Sequence, residues 1–97
     1  MPIHLKKDAV QAALNAYSPY SRLKVGAALV SKRDIVYTGC NVENASFPVG
    51  LCAERAAIAA AVLAEGKHFE LKAIAVVAFD EIGVALPIRP AVHAGRP

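Results

Sequence analysis

Apolar positions along the chain follow two different periods. Val10, Ala13, Leu14 and Tyr17 recur at i, i+3, i+4 and i+7, which predicts a helix over about 6–17 with these four on its buried face. Ser18-Pro19 predicts its end, because the residue before a proline is pushed out of the α region. Residues 24–30 read as a strand weakened at Gly26, Ser31 to Asp34 as a polar turn, and Ile35 to Tyr37 as the second arm of a hairpin. The stretch 39–50 carries the breakers Asn41, Asn44, Ser46, Pro48 and Gly50 and reads as a loop. A second helix is predicted from Cys52 to Glu65, stopping at Gly66; it is alanine-rich and apolar around most of its circumference, which predicts burial. Leu71 to Phe79 is a continuous apolar run, the pattern of a central strand covered on both faces. The order helix, hairpin, helix, strand implies an α/β domain, one sheet with helices packed on it, over residues 1–79. From 80 to 97 Pro87, Pro90 and Pro97 break every period, and this aberrant tail is expected to be poorly ordered.

Composition narrows the picture. With 56% hydrophobic residues in 97, the chain can build one small core and is far from a disordered composition. The longest apolar run, Ala56 to Ala64, falls well short of the roughly 20 residues that cross a bilayer. The opening residues MPIHLKK lack the apolar stretch of a signal peptide, so a cytoplasmic protein with no membrane partner is expected. Two cysteines, Cys40 and Cys52, do not make a disulfide scaffold. The net charge of +3 is spread along the chain, with no basic run and interleaved aromatics, so no nucleic-acid partner is expected.

Two short segments carry candidate chemistry. Cys52-Ala53-Glu54-Arg55 opens the second helix, whose positive end favours a thiolate and an adjacent carboxylate. A thiolate can hold a metal, and a carboxylate beside it can move protons during hydrolysis. The same residues also suit a buried structural thiol and a first-turn Glu that complements the helix dipole. Upstream, Asn41 and Glu43 flank Val42 and point the same way if the backbone is extended. An amide and a carboxylate on one face suit a diol such as a ribose, and equally suit turn chemistry with their own backbone.

Taken together these segments are specific. Tyr17-Ser18-Pro19-Tyr20-Ser21, Val25-Gly26-Ala27-Ala28, Thr38-Gly39-Cys40-Asn41-Val42-Glu43-Asn44-Ala45-Ser46 and Cys52-Ala53-Glu54-Arg55 closely resemble, in order and spacing, the zinc-dependent free-nucleoside cytidine deaminases. The resemblance covers about 8–79. It implies a three-layer α/β/α sandwich around a mixed sheet, incomplete here at the C-terminus. It implies hydrolytic deamination of cytidine or deoxycytidine to the uridine product through a zinc-activated water, in pyrimidine salvage. It assigns Cys52 as the first of three thiolate ligands to Zn2+, Glu54 as the catalytic proton shuttle, and Asn41, Val42 and Glu43 to the nucleoside. Arg55 is similar to a family arginine that hydrogen-bonds the zinc thiolates and offsets their excess charge, and it equally suits a cation on the helix surface. Leu23 stands where the family often has a pocket-lining Phe, Cys40 is expected to be a buried structural thiol, and His4, His68 and His93 surface residues. The family is commonly homotetrameric.

The other two zinc ligands come, in the family, from Pro-Cys-Gly-x-Cys-Arg-Gln after the strand matching Leu71 to Phe79. No cysteine follows Cys52 here; Ile88-Arg89-Pro90-Ala91-Val92-His93-Ala94-Gly95-Arg96-Pro97 stands instead. Pro90 to Pro97 back-translates with allowed codons as CCT GCG GTC CAT GCC GGC AGG CCC. Read two bases later it gives Cys-Gly-Pro-Cys-Arg-Gln-Ala, with Ala91 and Ala94 supplying the GC of both cysteine codons. The expectation is therefore a shifted reading frame and an impaired chain; the alternative is a metal-free fragment or pseudo-enzyme that only binds nucleoside or partner subunits.

Overall fold

The computed structural model describes residues 4–19, 21–43 and 52–80. Helix α1 spans Leu5–Ala13, shorter than the periodicity predicts. Beyond it the N–H groups of Leu14, Asn15 and Ala16 donate to the carbonyls of Gln11, Ala12 and Ala13, three residues back, so the last turn tightens and stops. Tyr17 then leaves the helix to pair with another segment. Leu14 and Tyr17, expected on the buried face, are exposed, and Ala9 and Ala13 are the buried pair instead.

Strand β1 is Lys24–Ser31 and strand β2 is Val36–Cys40. They form the predicted hairpin, with Ala27 opposite Gly39 and Leu29 opposite Tyr37. The turn is closed by Asp34 N–H donating to Ser31 O at 2.8 Å, with Asp34 at φ 64°. Aspartate tolerates this left-handed conformation better than a branched residue, which is why the turn manages without glycine. Helix α2, Ala53–Glu65, and a 3-10 turn, Gly66–His68, lead to β3, Leu71–Phe79. Gly66, at φ 71°, ends α2 as predicted.

The strand order is β2-β1-β3, and β1 runs antiparallel to both neighbours. Among the described residues β1, rather than the expected Leu71 to Phe79, is the middle strand, and β3 pairs with β1. Period and composition cannot separate these cases, because a hairpin arm and a buried edge are both apolar. A parallel pairing, which would make the sheet mixed, does not fall among the described strands.

Side-chain alternation along β1 sends Gly26 and Ala28 to one face and Ala27 and Leu29 to the other. A Cβ on Gly26 would lie 2.0 Å from Ala9 O and 2.5 Å from Ala13 N, so α1 rests on that face. A Cβ on Gly39, opposite Ala27, would lie 2.4 Å from Ala57 N, so α2 rests on the other. The result is three layers, α1 over the sheet over α2. Apart from Leu29, Val30 and Ile74, the buried hydrophobic residues described are all alanines. Close backbone approach replaces large side chains, and each alanine buries little apolar area.

Helix α2 is less buried than its composition predicts. Ala53, Ala57 and Ala61 face the sheet, while Ile58, Val62 and Leu63 are exposed, Leu63 to 89%. Its last residue, Glu65, carries a negative charge at the negative end of the helix dipole. Two donors compensate: Ser31 Oγ at 2.7 Å and Tyr37 Oη at 2.9 Å, both to Glu65 Oε2. Partial burial and the carboxylate beside it push the Tyr37 phenol up from its ordinary value. Among the described residues no helix is long and apolar enough to cross a membrane.

Candidate active site

Cys52 is the N-cap of α2, with extended backbone at φ −77° and ψ 148°. Its carbonyl accepts the first helical bond from Ala56 N at 2.9 Å, and its side chain makes no capping bond. Cys52 is exposed rather than buried, so its thiol is not a packing element. Glu54 lies in the first turn, and both it and Arg55 are exposed. The helix thus presents a thiol and a carboxylate at its positive end, where anions are favoured.

The segment Asn41 to Glu43 continues from β2. Asn41 N donates to Val25 O at 3.2 Å, extending the ladder past Cys40. Its side-chain amide spans two points of the chain leading into β1: Oδ1 accepts from Val25 N at 2.9 Å, and Nδ2 donates to Leu23 O at 2.9 Å. Val42 forms a parallel bridge with Tyr17, whose N–H donates to Asn41 O while its carbonyl accepts from Glu43 N. Glu43 Oε1 accepts from Ser21 N at 3.0 Å, and Oε2 accepts from Ser21 Oγ. Residues 41–43 are therefore extended, as the alternation argument requires, and both polar side chains are held by the segment before β1.

One contact joins the two halves. Besides Ala57 N, a Cβ on Gly39 would meet Ala53 O at 2.6 Å, so the end of β2 lies against the first turn of α2. Asn41 follows two residues later and Cys52 precedes Ala53 by one. The segment 41–43 and the thiol–carboxylate turn consequently share one end of the molecule. Residues 44–51, which connect them, lie outside the described residues, as do Tyr20 and the tail 81–97 with His93. His4 and His68 are exposed, as expected.

A catalytic zinc takes three protein ligands and an open position. Among the described residues no cluster of three or more His, Cys, Asp or Glu side chains could hold an ion. Cys40 cannot join Cys52: it pairs with Gly26, on the face covered by α1, while Cys52 belongs to α2 on the opposite face. Cys40 is half-buried. The described residues do not fit the metal.

Residues 3–82 match the family profile described as the cytidine and deoxycytidylate deaminase zinc-binding region. The chain belongs to this family. The cytidine deaminase of Halalkalibacterium halodurans is 51% identical over 74 residues, covering 76% of this chain and 54% of that protein. The cytidine deaminase of Mycobacterium tuberculosis is 54% identical over 56 residues, covering 58% of this chain and 42% of that one. The crystal structure of cytidine deaminase from Burkholderia pseudomallei superposes with a TM-score of 0.77 at 46% identity, covering 94% of this chain and 69% of that chain. The chain thus spans about half the length of the sequence relatives it matches.

Within this deaminase-family chain, sequence reasoning assigned no role to Ser21, to the backbone of Tyr17 or to that of Leu23. Ser21 was visible only as the end of the motif Tyr17-Ser18-Pro19-Tyr20-Ser21. Its link to Glu43 spans 22 residues, a separation that local pattern does not encode.

Proposed function

We propose that the chemistry of this chain is the hydrolytic deamination of cytidine or deoxycytidine, in pyrimidine salvage, and that the chain as written retains nucleoside binding but turns over poorly. What carries the reading is the close packing of Gly39 on Ala53 and Ala57, which gives the segment 41–43 and the start of α2 a common end. Family membership and relatives named cytidine deaminase support the substrate class.

In this reading Glu43 accepts from a ribose hydroxyl, and Asn41 donates to it through its second Nδ2 hydrogen. Val42 supplies the extended backbone between them. Glu54 takes a proton from the attacking water and returns one to the departing amine, so that water adds at C4 and ammonia leaves. Cys52 would hold one coordination position of a zinc ion, with Arg55 offsetting thiolate charge. Zinc would supply the activated water in this chemistry, and its three-ligand requirement is unmet among the described residues. That mismatch favours the second reading, a metal-free fragment or pseudo-enzyme that only binds nucleoside or partner subunits.

Cytidine titrated into the full chain tests the binding half. The unaltered chain is expected to bind it, and Glu43→Ala to weaken binding by about tenfold, the effect of a lost charge-assisted hydrogen bond. Equal affinities would remove the ribose-binding assignment.

The exposed apolar residues Ile58, Val62 and Leu63 on α2 support assembly into a homo-oligomer, a tetramer for an intact form. Sedimentation is expected to give a smaller species for Leu63→Glu than for the unaltered chain; identical sizes would count against this face. A cytoplasmic location accords with salvage of free nucleosides, and recovery in a membrane fraction would contradict it.

A further inference from the structure

The short segment Ser21-Arg22-Leu23 is tied to Asn41 and Glu43 by side-chain bonds at both of its ends. Ser21 gives two donors to one carboxylate, its N–H to Glu43 Oε1 at 3.0 Å and its hydroxyl to Oε2. The hydroxyl in turn accepts from Leu23 N at 3.2 Å, which orients its own proton away from Leu23 and toward Glu43. Leu23 O accepts from Asn41 Nδ2, and Arg22 N donates to Ser18 O at 3.0 Å. Between the two anchored residues Arg22 sits at φ 63°, a left-handed conformation that a long side chain rarely adopts. Backbone strain of this kind persists only where surrounding bonds over-determine it, and it gathers where side chains must be aimed.

We propose that Ser21 is a positioning residue for nucleoside recognition: its two bonds fix the orientation of the Glu43 carboxylate that meets a ribose hydroxyl. The inference rests on the reading of Glu43 as a ribose acceptor and adds the residue that orients it. A carboxylate on two rotatable bonds loses conformational freedom when it binds a hydroxyl. Ser21 removes that freedom beforehand, so less is lost on binding. The anchoring acts on the two residues read as meeting the ribose, on Glu43 directly and on Asn41 by way of Leu23, and so on ligands that present the hydroxyl.

The test compares cytidine with 2′,3′-dideoxycytidine, each titrated into the full chain and into Ser21→Ala, Ser21→Thr and Glu43→Ala. Ser21→Ala is expected to weaken cytidine about two- to tenfold, the range of one hydrogen bond, and to leave the dideoxynucleoside unchanged. Ser21→Thr, which keeps the hydroxyl, should restore cytidine affinity. Equal loss for both ligands would mean a merely structural serine and overturns the proposal, as does full cytidine affinity in Ser21→Ala when Glu43→Ala has lost it. Unchanged cytidine affinity in Glu43→Ala, or no binding by the unaltered chain, overturns the functional reading itself and the positioning role with it.

Discussion

Prepared in medium containing zinc, the purified chain is expected to carry far less than one zinc ion per polypeptide and to convert cytidine to uridine no faster than its Glu54→Ala variant. The physical ground is ligand count. Cys52 offers one thiolate at the start of α2, and the second cysteine of the chain faces the opposite side of the sheet. Loss of a residue that merely orients a ligand typically lowers metal affinity by about 10- to 100-fold. Loss of two of three ligands exceeds that, leaving an affinity too low to survive dialysis. Zinc in structural sites contributes on the order of 10–16 kcal/mol to small zinc-dependent folds, so chelators should have little effect on the unfolding midpoint of this chain. Elemental analysis, a cytidine assay and a melt with and without chelator make the check. A stoichiometric ion that resists dialysis, with measurable turnover, would show that ligands come from elsewhere. The coding DNA from Phe79 onward tests the expected frameshift: a shift of one or two bases should restore two cysteine codons near Pro90, and none doing so would overturn it.

The second large effect is steric. Gly39→Ala is expected to destabilise the fold by about 3 kcal/mol, the upper end of the usual overpacking range. The added methyl would lie 2.4 Å from Ala57 N and 2.6 Å from Ala53 O. Both are helix backbone atoms, so relief requires lifting the first turns of α2 from the sheet rather than rotating a side chain. Reduced freedom of the unfolded chain favours alanine by about 0.4–1 kcal/mol, too little to offset the clash. The same lifting moves Cys52 and Glu54 away from Asn41 and Glu43, so cytidine affinity should fall with stability. Gly66→Ala is the comparison: nothing lies within 4 Å of its added methyl, and only backbone strain at φ 71° and ψ −157° opposes it, about 1–3 kcal/mol. Urea midpoints decide between them. A Gly39→Ala midpoint at or above that of the unaltered chain would mean that α2 does not rest on β2 as described.

Particular residues show where pattern was informative. The start and stop of α2 were legible because Cys52 and Gly66 bracket an alanine-rich run, and a glycine at positive φ ends helices for a steric reason. The hairpin was legible because β-formers flank a polar turn. The end of α1 was not. Tyr17 satisfies the helical period yet leaves the helix, because its N–H and C=O bond to Asn41 and Glu43, residues more than 20 positions away. The exposure of α2 was misjudged for a related reason: hydropathy reports which residues avoid water, and not which surface of this chain is available to cover them.

The sequence by itself determined the order of the elements and the family, since motif spacing and period are local properties carried by adjacent side chains. It also determined the shortage of thiolates, which is a matter of counting. Tertiary structure alone decided that β1 is the middle of the described strands, that Cys40 and Cys52 lie on opposite faces, and that Ser21 holds Glu43. The physical reason is that pairing partners, sheet faces and hydrogen bonds between distant segments are fixed by how the layers close on one another. Here that closure runs through two glycines, Gly26 and Gly39, whose lack of a side chain lets both helices approach the sheet.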